Sequence, residues 1–285
     1  MAAERLLELD RDLVGLEAPE VASPPRPSRL RRAWSAVWPR LAAVALALAV
    51  WQLVALSGWQ PGYLLPGPGP VLARLGADAR QAAFWTAVAI TLQRALVGYV
   101  AAVLVGAFAG AVVARQGLLR RAVGSLITGL QTMPSIAWFP LAILLFGLDE
   151  TAILFVVLLG AAPAVANGLI GGIDQIPPLL LRSGQVLGAR GVRLYRHVIL
   201  PAALPPFIGG LKQGWAFAWR SLMAGELLVV LGNRPSLGAR LQFAREFADA
   251  QGLLATMIVV FVIGMVVDAV FSRIDGEVRR RWGLV

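Results

Sequence analysis

Arg220 and Glu226 stand six residues apart inside a largely apolar run at 205–231. A charge in such a run is costly to hold in a membrane and points to a function or to a partner. One chemistry is a fixed cation: Arg220 lining a route for an anion and offsetting the hydration that the anion loses. The other is structural, with Arg220 paired to Glu226 or to another buried acid. A second polar group, Gln131, Thr132 and Ser135, surrounds Pro134, with Met133 beside it. These side chains either meet a solute or satisfy backbone groups that the proline leaves free. Trp138, Trp215 and Trp219 form either an apolar gate or ordinary helix packing. Arg94 reads as an interfacial or paired charge. Lys212 reads as a stem reaching for the membrane surface, and Asp268 as a residue of the inner boundary.

Other chemistries are poorly supplied. The chain has no cysteine and one histidine, His197, so a disulfide, a thiolate–metal site or a histidine-based triad has no material. No Gly-x-x-x-x-Gly-Lys-Ser/Thr phosphate loop is present, so ATP hydrolysis is not expected in this chain. The net charge of +10 is carried almost wholly by arginine. These arginines flank apolar runs, which is the membrane pattern and not the pattern of a nucleic-acid binder.

The elements that position these residues follow from composition. The 285 residues are 58% hydrophobic and 15% charged, with mean hydropathy +0.72. A soluble domain carries about 25% charged residues, so lipid is the natural solvent here. Six crossings are expected, at 41–57, 85–114, 122–148, 151–173, 205–231 and 252–271. The second contains Gly106-x-x-x-Gly110, where small residues admit a neighbouring helix. The third is interrupted by Pro134 and Pro140, so it should bend or break, with 131–138 facing the bundle interior. Pro163 lies inside the fourth.

The domain reading is a cytoplasmic N-terminal tail at 1–38, a membrane domain at 39–275 and a basic cytoplasmic tail at 276–285. The N-terminal tail reads as disordered or as a short amphipathic helix at 4–16. The positive-inside rule places both termini in the cytoplasm of a multi-pass protein of the cell membrane. Inside segments then hold Arg115, Arg120, Arg121, Arg182, Arg190, Arg193, Arg196, Arg273 and Arg279 to Arg281. The outside keeps Arg74, Arg80, Arg234, Arg240 and Arg245. The segment 174–204 thereby becomes a long cytoplasmic loop, able to present a short helix to a groove on a partner through Val186, Leu187 and Val192.

That loop resembles the signature of binding-protein-dependent ABC importer permeases: Glu-Ala-Ala, three residues, Gly, nine residues, Ile-x-Leu-Pro. Gly188 takes the place of the signature glycine, and Val198-Ile-Leu-Pro201 its end. Leu65-Pro-Gly-Pro, Thr132-Met-Pro134, Trp138-x-Pro140, Phe146-Gly-Leu-Asp-Glu150 and His197-Val-Ile-Leu-Pro-Ala-Ala-Leu-Pro205 extend the resemblance over about 39–283. They are similar to the aliphatic sulfonate, taurine, nitrate and bicarbonate branch. One departure stands out: Arg182-Ser183-Gly184 replaces Glu-Ala-Ala.

The resemblance implies an all-α type I importer permease, a bundle of six membrane helices. Its partners would be two ATP-hydrolysing subunits holding ATP and Mg, a second permease copy making a homodimer, an extracytoplasmic solute-binding protein and the bilayer. No cofactor or metal is implied for this chain, and no nucleic acid. Coupling to the ATPase falls to Val186, Leu187, Gly188, Ala189, Arg190, Gly191, Leu200 and Pro201. The substrate pathway falls to Gln131, Thr132, Met133, Ser135, Trp138, Trp219, Arg220 and Glu226. The expected cargo is an aliphatic sulfonate or taurine, with nitrate, bicarbonate or a vitamin precursor as alternatives. An ion-coupled secondary transporter is the competing class, but only one broken helix is visible, with no counterpart in the other half.

Overall fold

The computed structural model describes residues 29–282 apart from position 233; the expected amphipathic or disordered tail before residue 29 lies outside them. The described residues contain helices and connections and no strand. They divide into two units, residues up to Ser57 and residues from Gly58 onward.

The first unit holds α1 (Arg29–Leu56), which runs through Pro39 without a break in the helix. It therefore begins ahead of the expected boundary at residue 39. Its run 41–56 is apolar around the whole circumference, as lipid requires.

The second unit begins with α2 (Pro68–Asp78), which has proline in its first turn, where no backbone donor is missed. The long helix α3 (Ala82–Arg115) follows, then α4 (Gly117–Thr132). Pro134 ends that run. After a tight turn at Ser135–Trp138 the chain continues as α5 (Phe139–Phe146), and the two halves meet at 99°. The expected break is thus present and belongs to Pro134. Pro140 lies in the first turn of α5 and breaks nothing.

The central element is α6 (Glu150–Asp174), packed between α3 and α8 (Leu200–Leu228). Asp149 caps it. The Thr151 hydroxyl, then the backbone N–H groups of Glu150 and Thr151, hold the Asp149 carboxyl below the usual carboxylate range. Close approach of α3 to α6 depends on Gly106 and Gly110. A Cβ at Gly106 would lie 2.5 Å from the Ala162 carbonyl oxygen, and one at Gly110 2.9 Å from that of Ala166. The core where α3, α5, α6 and α8 meet is built on Phe139, Ile153, Val156, Trp215 and Leu222. The short α7 (Pro178–Val186) lies between α6 and α8; α9 (Leu237–Glu246) and α10 (Ala250–Arg281) close the chain. The last of these carries helix through most of the segment expected as a C-terminal tail.

Four described helices are long and apolar enough to cross a membrane, and the bent pair brings the number to five. The count of six is not reached on these grounds. The difference is α8, about 43 Å long at 1.5 Å per residue. Its Pro205, Pro206, Lys212, Gln213, Arg220 and Glu226 are spread along it, so no stretch of membrane-crossing length is free of them.

Candidate functional site

The connection from α6 to α8 has a defined shape. The N–H of Ala189 donates to the Gly184 carbonyl at 2.9 Å, and that of Gly188 to the Gln185 carbonyl at 3.0 Å. This pair of bonds ends a helix on a left-handed residue, and Gly188 has φ +84°. The glycine is there because the turn needs positive φ. The chain then turns through Gly191 into the single turn Val192–Leu194 and the wide turn Tyr195–Ile199, which runs directly into α8. Gly184 is buried against this second limb: a Cβ there would meet Val198 Cγ2 at 2.9 Å. The third signature position is therefore small because two limbs of a hairpin touch at it. Arg182 is exposed and forms no ion pair among the described residues.

The hairpin presents apolar side chains outward. Val186 and Leu187 are each 87% exposed and Val192 79%. Ala189 is half-buried, Arg190 and Gly191 are exposed, and Leu200 with Pro201 opens α8. A hairpin held by a capped turn and showing three apolar residues at its tip has the geometry of a plug for a groove.

At the other end of the bundle lies a buried ionic knot. Arg94 Nη1 donates to Glu226 Oε1 at 3.0 Å, and Arg94 Nε donates to Glu150 Oε1 at 3.1 Å. The Thr91 hydroxyl donates to Glu226 Oε2 at 2.9 Å and accepts the Leu237 N–H at 2.9 Å. The Gly238 N–H donates to Glu226 Oε2 at 3.1 Å, and Arg234 pairs with Glu150. The carboxylate of Glu226 thus accepts from the first turn of α9, where backbone donors are free and the helix dipole favours negative charge. Glu226 is 0% exposed and Arg94 2%.

Two readings change with this geometry. Glu226 is not paired with Arg220, and it lines no open surface; the knot seals it. Arg94 is the paired charge, and its partners come from α6 and α8. The contributions of Thr91, Glu150 and Gly238 were missed. The only signal for them was Arg94 itself, a cation in an apolar run that must find an acid.

The remaining pathway candidates separate into two places. Arg220 is exposed, its guanidinium 4.7 Å from the centre of the Phe217 ring, with Nε donating to the Ala216 carbonyl at 3.0 Å. No carboxylate pairs with it among the described residues. It borders a cleft of about 830 Å3 between α8 and α10, walled by Trp215, Trp219, Met223, Phe261 and Met265. Asp268 lies on the same cleft, but Lys212 neutralises it at 3.1 Å. The two tryptophan rings stack at 6.0 Å. The cleft is therefore apolar with one free cation at its edge.

The second place is the Pro134 break. Gln131 accepts the Asn167 side-chain N–H at 2.6 Å. Thr132 bonds back to the Gly129 carbonyl at 2.8 Å, which satisfies its own helix. Met133 is exposed, Ser135 half-buried, and Trp138 packs on the main core. No group of acids and histidines suited to a metal ion occurs among the described residues.

Residues 98–280 match the family described as binding-protein-dependent transport system inner membrane component. A taurine transport system permease protein of Escherichia coli is 30% identical over 230 residues, 79% of this chain and 82% of its own. An aliphatic sulfonates transport permease protein of the same organism is 30% identical over 224 residues, 78% of this chain and 83% of its own. A riboflavin transport system permease protein of Chloroflexus aurantiacus is 31% identical over 217 residues, 74% of this chain and 79% of its own. Among solved structures, an amino acid ABC transporter chain matches with TM-score 0.57 at 18% identity, over 73% of this chain and 97% of its own. The inward-facing MetNI methionine ABC transporter matches with TM-score 0.54 at 21% identity, over 68% and 93%. At these identities the structural likeness is one of fold.

Proposed function

This chain belongs to the family of binding-protein-dependent transport system inner membrane components, and we propose that it forms the path of an aliphatic sulfonate or taurine. It is the multi-pass transmembrane permease of an ABC importer, a transport subunit and not an enzyme, and ATP is hydrolysed in a partner subunit.

The observation that carries the substrate reading is Arg220. It is a cation without a carboxylate partner beside an apolar cleft, and an aliphatic sulfonate has one anionic head and an apolar tail. The guanidinium offers hydrogen-bond donors to the sulfonate oxygens, while the tryptophan and methionine walls accept the alkyl chain. The names of the taurine and sulfonate relatives support the same class. The riboflavin relative gives a second reading, because a stacked tryptophan pair also suits a flat ring. Nitrate and bicarbonate lack the apolar tail that the cleft fits.

In this reading both termini and the α6–α8 hairpin face the cytoplasm, as the arginine distribution favours, and α8 is the crossing that brings the number to six. Val186, Leu187 and Val192 enter a groove on the ATPase, with Gly188 fixing the turn. The basic Arg182 meets a complementary acid there, in place of the usual acidic residue. A second copy of this chain, two ATPase subunits carrying ATP and Mg, and an extracytoplasmic solute-binding protein complete the importer. ATP binding moves the hairpins as rigid levers and opens the path outward.

The test is uptake by the whole transporter in liposomes supplied with its binding protein. Taurine and ethanesulfonate uptake that requires ATP and falls at least tenfold in Arg220→Ala, about 1.4 kcal/mol, is expected. Uptake of riboflavin without taurine, or taurine uptake unchanged in Arg220→Ala, would overturn the substrate reading. Solute movement by the chain alone along an ion gradient would overturn the ATP-driven one.

A further inference from the structure

Helices α6 and α8 cross backbone to backbone. A Cβ on Gly168 would lie 2.4 Å from Gly210 Cα, and one on Gly210 2.5 Å from Gly168 Cα. These two glycines are required by steric contact. Beside the crossing runs a groove of about 290 Å3, lined by Asn167, Gly171 and Gln175 on one side and by Gly209 and Gln213 on the other.

Gly171 and Gly209 are unlike the crossing pair. A Cβ on either would meet nothing within 4 Å. Glycine weakens a helix relative to alanine, so these two weaken their helices with no contact that demands them. What they do is keep the groove wide and its floor bare backbone. The amides fit the same picture. Gln213 and Gln175 are exposed and have no side-chain hydrogen bond among the described residues, while Asn167 is held by Gln131. Gln175 caps the C-terminal end of α6, whereas Gln213 lies within α8, where an amide left open is costly in hydrocarbon and natural beside water.

The groove shares helix α8 with the cation described above. Gln213 and Arg220 are seven residues apart, two helical turns or about 10 Å on one face of α8. Ala216 lies between them and is exposed, so no large side chain blocks the line. Arg220 offers charge, and the amides below it offer N–H donors without charge. A route needs sites strong enough to admit an ion and weak enough to release it. We propose that this groove is a water-filled relay that carries the sulfonate from Arg220 toward the α7 end of the bundle, with Gln213, Asn167 and Gln175 as its successive donors. The identity of the anion rests on the reading given under Proposed function; the wet groove does not.

The chain contains no cysteine, so single-cysteine variants of the whole transporter report directly. An anionic methanethiosulfonate reagent reacts with the thiolate, which forms in water, and Gly209→Cys and Gln213→Cys should react about tenfold faster or more than Leu104→Cys. Leu104 is an exposed apolar residue on α3 and serves as the lipid-facing control. A Cβ at Gly209 meets nothing within 4 Å, so Gly209→Leu should assemble and lose taurine uptake, while Gly124→Leu, equally open but away from the groove, keeps it. Equal labelling at positions 209, 213 and 104 overturns the inference, as does full uptake in Gly209→Leu. Fast labelling supports the groove whatever solute is carried, and riboflavin uptake in place of taurine overturns only the anion reading.

Discussion

Arg94 and Glu226, 132 residues apart in sequence, meet at 3.0 Å with both side chains almost wholly removed from solvent. Around them Thr91, Glu150 and the first turn of α9 supply further bonds. The pair fastens α3, α6, α8 and α9 at one end of the bundle. It acts as a structural fastening for the wall beside which Arg220 stands free.

Breaking this pair should therefore damage folding and leave transport chemistry a secondary matter. Glu226→Ala leaves the buried Arg94 with Glu150 alone and takes the acceptor from Thr91 and Gly238, and loss of one partner of a buried pair costs about 3–5 kcal/mol. Thermal unfolding of the purified transporter should show a marked fall, and the Arg94→Met, Glu226→Met double variant should recover part of it. A Glu226→Ala protein with wild-type unfolding would contradict this.

The hairpin tip should behave in the opposite way. Val186 and Leu187 are exposed, and surface substitutions change stability by only about 0.5 kcal/mol. Leu187→Asp should leave the permease folded while the ATPase no longer co-purifies, or hydrolyses ATP without transport. Retained and coupled ATPase would show that docking lies elsewhere.

Gly188 tests the turn. At φ +84° any L side chain with a Cβ is strained by about 1–2 kcal/mol. Gly188→Val should loosen the hairpin and raise uncoupled ATP hydrolysis, with little change in unfolding temperature of the bundle. Coupled transport at the wild-type rate would argue against a fixed turn.

The α3–α6 contact offers a packing test. A leucine at Gly106 would drive atoms into the Ala162 carbonyl, where the Cβ alone lies at 2.5 Å. Overpacking of this kind costs about 1–3 kcal/mol. Reduced yield and a lower unfolding temperature are expected for Gly106→Leu, measured beside Gly124→Leu, where no atom lies within 4 Å. Equal behaviour of the two would remove the role given to the close crossing.

The sequence by itself determined the solvent, the helical class, a break in the third apolar run and a long loop that carries a short helix and its glycine. Each of these depends on local composition or on the φ that one residue tolerates, and such properties are written in neighbouring letters. The family signature, too, is a run of consecutive residues. The partners of the charges were decided only by the tertiary structure. Glu226 has Arg220 six residues before it, yet it bonds to Arg94 on another helix, because the fold brings α3 and α8 together there. That choice leaves Arg220 without an acid at the edge of its cleft. The glycines divide in the same manner: the letter is identical at Gly168 and Gly209, and only the distance to the next backbone tells a required contact from an open groove. Pairings between distant elements depend on which helix faces meet, and a linear pattern of apolar and charged residues does not carry that information.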